Sequence, residues 1–158
     1  MCIRDSEYAD IKLSHAAYLR RIVEKRGADD IIHVGARAFV SEELAFLKEH
    51  NIKTISEKAI RDGDGPKLLE GMTSNFDNLY VSIDLDVLDP AFAPGVGNPE
   101  AVGITSRELY DMIVSLQEKN ISAADIVELN PSFDNGSTAS FAAKMISTII
   151  AMNNAKQS

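Results

Sequence analysis

The chain has 158 residues, 45% hydrophobic, 6% aromatic and 25% charged, with a formal net charge of -8. That composition suits one ordinary domain with enough Val, Ile, Leu and Phe for a core, and the absence of a basic patch argues against nucleic acid as a partner. The single cysteine, Cys2, excludes an internal disulfide framework and fits a reducing, cytoplasmic setting. The apolar runs are short and broken by charge, which argues against a membrane span. The acidity suits a cationic substrate or a metal, and equally serves solubility.

The opening MCIRDSEYAD lacks the apolar region of a signal peptide and shows no strand or helix period, so residues 1–10 read as a non-native or disordered start. The domain proper runs over 11–154. SHAAYLRRIVEKRG reads as a helix capped by Ser14, with Tyr18, Leu19, Ile22 and Val23 as its apolar stripe and Gly27 as its stop. DDIIHVGAR is a short buried strand ending at Gly35. SEELAFLKEHN is a second helix, capped by Ser41, with acids in its first turn. IKTIS is a strand, and SEKAIRDGDGPKLLEGMTS is helical with an interruption at 63–66. NLYVSIDLD is a strand that runs into the loop DPAFAPGVGNPEAVG. ITSRELYDMIVSLQEKN is a helix opening at Thr105 or Ser106, ISAADIVELNP a strand, and GSTASFAAKMISTIIAMNN the last helix. Strands alternate with helices and no hairpin signals appear, so the pattern predicts an α/β fold with a mostly parallel sheet covered by helices on both faces. Ligands of such sheets bind outside the carboxyl ends of the strands. Asp84 and Asp86 fall near the end of one strand and Glu128 near the end of another.

The spacing of the two aspartates carries the chemistry. Strand alternation would put Ser82, Asp84 and Asp86 on one face, with the aspartates about 7 Å apart along the backbone. Ionised together, they would repel by roughly 2 kcal/mol at an effective dielectric of 20. Solvent, a basic partner, a helix N-terminus or a cation must compensate. Carboxylates are hard oxygen ligands suited to Mg²⁺, Mn²⁺ or Ca²⁺, and a same-face pair can converge on one metal or on two. A solvated strand end or a salt bridge is the plainer alternative.

SIDLDVLDPAFAPGVGNPE, followed by GITSREL, resembles the signature of the ureohydrolases, the arginase and agmatinase family. SHAAYLRRIVE upstream and DIVELNPSFD downstream extend the likeness from Ile11 to Met152. The tandem arginines, Arg20 and Arg21, look more like agmatinases than arginases. The resemblance implies a three-layer αβα fold, a site of two Mn²⁺ ions, and hydrolysis of a small guanidino substrate, agmatine first, to putrescine and urea. It also implies a homo-oligomer at full length. Asp84 and Asp86 match metal ligands. Glu128 matches the carboxylate that pairs with the substrate guanidinium, and His15 the histidine of substrate binding and proton transfer. Asp89 matches an acid that orients the site without binding metal. Asn98, where many relatives carry threonine, matches a substrate contact on the loop. His33, His50, Arg20 and Arg21 read as structural or surface residues.

The family's two upstream metal-binding motifs, Gly-Gly-Asp-His and Asp-Ala-His-x-Asp, do not occur in the chain. The expectation is therefore a C-terminal portion of a ureohydrolase, truncated at the N-terminus, that alone binds metal weakly or is inactive. Two alternatives stand beside it. One is a non-catalytic protein of the same fold. The other is a Mg²⁺-dependent phosphohydrolase with a strand-end aspartate pair, which leaves the long 89–100 loop unexplained.

Overall fold

The computed structural model describes residues 17–37 and 39–156. Ser14, His15 and the ten-residue start lie outside the described residues. The described chain divides into two units, one ending at Ser56 and one starting at Glu57.

In the first unit, helix α1 (Tyr18–Arg26) buries Leu19 and Val23, one turn apart, and stops where Gly27 adopts a positive φ of 84°. Strand β1 (Ile32–Val34) pairs in parallel with β2 (Lys53–Ile55), His33 opposite Thr54. Helix α2 (Ser41–Glu49) connects them. Its cap is Val40 rather than Ser41: the Val40 N–H donates to Glu43 Oε2 at 2.9 Å, so a side chain from within the first turn satisfies the exposed donor. Leu19, Val23, Ala28, Phe46, Leu47 and Ile52 form the core. Asn51 takes the left-handed turn after α2, a conformation asparagine tolerates.

The second unit holds α3 (Glu57–Arg61), α4 (Gly65–Thr73), β3 (Asn78–Asp84), α5 (Ser106–Val114), β4 (Asn120–Val127) and α6 (Ser137–Ala155). The predicted interruption at 63–66 is a turn at Gly63, φ 90°, after which α4 starts with Pro66 in its first turn, where a missing N–H costs nothing. β3 and β4 are parallel, with Val81 opposite Ala124, Ile83 opposite Ile126 and Asp84 opposite Val127. Helix α6 packs on β4 and α5. Ile83, Leu85, Leu88, Val96, Ile104, Met112, Ile121, Met145 and Ile149 are buried. At about 25 cal/mol per Å² of apolar surface, each such side chain contributes roughly 1.5–3 kcal/mol to the burial that holds this unit together. Both strand pairs are parallel, as the alternating pattern predicts.

Candidate functional site

β3 and β4 lie side by side and end level with each other, so their carboxyl ends deliver Asp84 and Glu128 to the same edge. Asp84 is the last residue of β3, and Glu128 follows the last residue of β4. Glu128 sits in left-handed backbone, φ 67°, a position unusual for a residue with a Cβ and one that costs of order 1 kcal/mol or more. The backbone thus turns at the acid itself.

Asp86 is not on the strand. The chain leaves β3 at Asp84 and winds into a 3₁₀ turn, Leu85–Val87, so strand alternation does not relate the two aspartates. The cause is packing: Leu85 and Leu88 are fully buried, three residues apart, and only a turn brings both into the core. The Asp86 N–H donates to Asp84 Oδ1 at 2.9 Å, making Asp84 the cap of that turn. Asp86 is itself buried, 8% exposed, and accepts a hydrogen bond from the Asn98 backbone.

Burial, then the charges of Asp84 and Glu128, push the Asp86 carboxyl up to about 6. Burial also raises Asp84, with Glu128 adding to the effect. Both aspartates therefore feel the charge of Glu128, and they work against the negative charge gathered at this edge.

The loop after β3 returns across this edge. Leu88 bridges Ile104, and the Asp89 N–H donates to the Ile104 carbonyl at 2.9 Å. Asp89 Oδ1 accepts from Ala91 N–H at 3.0 Å, and Oδ2 from Gly103 N–H at 3.2 Å. Asp89 thus closes the base of the loop. Gly103 is required there, since a Cβ would stand 2.3 Å from the Asp89 nitrogen. Its neighbour Val102 holds φ 61°, an uncommon state for a β-branched residue. Farther along, a Cβ on Gly97 would lie 3.6 Å from Glu128 Oε2, so the loop backbone runs beside that carboxylate.

Asp84, Asp86, Glu128 and the Asn98 backbone are thus brought together, Asp89 braces the loop, and His15 lies outside the described residues. His33 is buried on β1, edge-on to Phe39, with neither ring nitrogen hydrogen-bonded among the described residues. Burial lowers its pKa to about 4, so it is neutral. Arg20 and Arg21 pair with Glu24 on the face of α1 at 3.1 and 2.6 Å. Sequence reasoning missed Gly95, Asp134 and Thr138, which tie the loop to α6. The glycines in PGVG were the one visible signal.

Residues 3–152 match the model of the arginase family. The chain is 37% identical over 145 residues to an agmatinase of Bacillus anthracis, which covers 89% of this chain and 48% of that protein. It is 34% identical over 155 residues to a guanidinopropionase of Pseudomonas aeruginosa, covering 94% and 49%. Among solved structures, the agmatine ureohydrolase of Thermoplasma volcanium superposes with a TM-score of 0.85 at 32% identity, covering 94% of this chain and 50% of that one. The chain spans about half the length of these relatives.

Proposed function

Because the chain belongs to the arginase family, we propose that the protein bearing this site hydrolyses a guanidino compound, agmatine first, and releases urea. The observation that carries the reading is the convergence of Asp84, Asp86 and Glu128 at the carboxyl edge of adjacent parallel strands, with both aspartates titrating above their ordinary range. Three acids held close in a partly buried edge are suited to cations. Glu128, on its turned backbone, offers two oxygens to the planar guanidinium, whose paired N–H groups match a carboxylate. Water adds to the guanidinium carbon, the bond from that carbon to the alkyl nitrogen breaks, and the departing amine takes up a proton. His15 is proposed for that proton transfer, a task suited to a near-neutral pKa.

Asp84 and Asp86 fit a hard divalent cation, Mn²⁺ by family, in ligand type and in the burial and neighbouring negative charge that raise both carboxyls. They are a partial set: among the described residues no group of three or more His, Cys, Asp or Glu is placed to hold a metal. A bound cation supplies water of lowered pKa as the nucleophile. The partial ligand set also supports a second reading, a non-catalytic protein of the same fold.

One assay separates the readings. Expressed from its complete reading frame and loaded with Mn²⁺, the protein should release urea from agmatine faster than from arginine or guanidinobutyrate, and Glu128→Gln should abolish release. Arginine as the best substrate would overturn the substrate assignment. No urea from any of the three would favour the non-catalytic protein.

A further inference from the structure

Gly95 is a crossing point between the loop that follows β3 and the segment that follows β4. Its carbonyl accepts from the Asn130 N–H at 2.8 Å, and its own N–H donates to Thr138 Oγ1 at 2.9 Å. Val96 then bridges Leu129 in the antiparallel sense. Thr138, in the first turn of α6, is completely buried. Asp134 secures that turn from below: its Oδ1 accepts from Thr138 N–H at 3.0 Å and its Oδ2 from Ala139 N–H at 2.9 Å. There is no slack between them, since a Cβ on Gly95 would stand 2.3 Å from Asp134 Cβ.

What Gly95 anchors is the short stretch that touches the acids. Two residues on, Gly97 lies beside Glu128 Oε2, and one further, the Asn98 backbone holds the Asp86 carboxylate. Asn130, the other partner of Gly95, is two residues from Glu128. Displacing Gly95 therefore displaces both flanks of the site.

We propose that Thr138, supported by Asp134, is a positioning residue for the site: by holding Gly95 against α6 it sets where residues 95–98 place Asp86 and Glu128. A fully buried hydroxyl is an unneeded choice for packing alone, because valine fills the same space. Its use here is as the acceptor for a buried N–H that would otherwise have none. The catalytic consequence rests on the function proposed above; the structural consequence does not.

The test compares Thr138→Val, which keeps the shape and removes the acceptor, with Thr138→Ser, which keeps the acceptor. Amide hydrogen exchange is read by NMR on this chain. In Thr138→Val, protection at Gly95 and Asn98 should fall at least about tenfold more than at Ile83 in the β3 core, and Thr138→Ser should restore it. In the complete enzyme, Thr138→Val should lower kcat at least about tenfold with KM little changed, and serine should recover most of it. Equal loss at loop and core amides, or a serine variant as poor as valine, would overturn the proposal. If Thr138→Val fails to fold, Asp134→Asn, which keeps the side-chain volume packed against Gly95 and removes the carboxylate charge that supports the turn, is read by the same exchange ratio. Wild-type protein that releases no urea would remove the proposed function and leave the exchange result standing on its own.

Discussion

Asp86 shows how a residue suited to a ligand stands against the fold that carries it. Its carboxyl binds a proton near pH 6 in the folded chain and near the usual carboxylate value when unfolded, because burial and then Asp84 and Glu128 disfavour its charge. Between those values the folded state holds more protons than the unfolded one, so metal-free stability should rise as pH falls from 7.5 to about 4.5. The ionised side chain then costs on the order of 2 kcal/mol at pH 7.5, allowing for partial screening by solvent. Asp86→Asn should remove that cost, stabilising the metal-free chain by about 1–2 kcal/mol at pH 7.5 and flattening its pH dependence. Asp84→Asn should be close to neutral, since an amide oxygen can still accept the Asp86 N–H at the turn. Urea denaturation at pH 7.5 and 5.0 reads both. Destabilisation by several kcal/mol in either variant would mean that the pair holds the fold rather than a ligand. The presence of both acids was legible in the sequence, but their relation was not. Period-two alternation put them on one strand face, whereas the burial of Leu85 and Leu88 turns the chain between them.

At the scale of elements, apolar spacing located each described helix and strand, and the error at the α2 cap falls where one local signal overrides another. Ser41 has the chemistry of a cap, but Glu43 performs that task from inside the helix. Thr105 is the opposite case, a cap visible in TSREL and realised in full. Its Oγ1 accepts from Glu108 N–H at 3.1 Å, and Glu108 Oε2 accepts from Thr105 N–H at 2.6 Å. Thr105→Ala should cost about 1 kcal/mol by denaturant titration. Gly103→Ala, two residues earlier, should cost more, roughly 2–3 kcal/mol, because the added methyl meets Asp89 backbone rather than a movable side chain. If Gly103→Ala is the milder of the two, the loop base is softer than its contacts imply. The Gly95–Thr138 contact spans 43 residues and leaves no periodic trace, so only the fold reveals it.

At the scale of the molecule, the two aspartates form part of a larger demand. Two carboxylates can hold a hard divalent cation only weakly, since affinity grows with the number and charge of the ligands. The chain spans about half the length of the relatives it matches, and among its described residues no cluster of three ligating side chains is assembled. Binding to the folded state stabilises by RT ln(1 + [L]/Kd). With a Kd of about 1 mM, 1 mM Mn²⁺ adds roughly 0.4 kcal/mol, a Tm shift of about 1–2 °C for a chain of this size. A complete site at a hundred times its Kd gains about 2.7 kcal/mol, a shift of several degrees. Thermal-shift titration with Mn²⁺ should therefore separate this chain from the product of the complete reading frame, and Asp86→Asn should remove the small shift in the one and most of the large shift in the other. KCl at equal ionic strength controls for screening of the acidic surface, which would raise the Tm of wild type and variant alike. A shift of about 5 °C or more in this chain at 1 mM Mn²⁺, lost in Asp86→Asn, would show that the second unit alone builds a tight metal site. The requirement for further ligands would then fall.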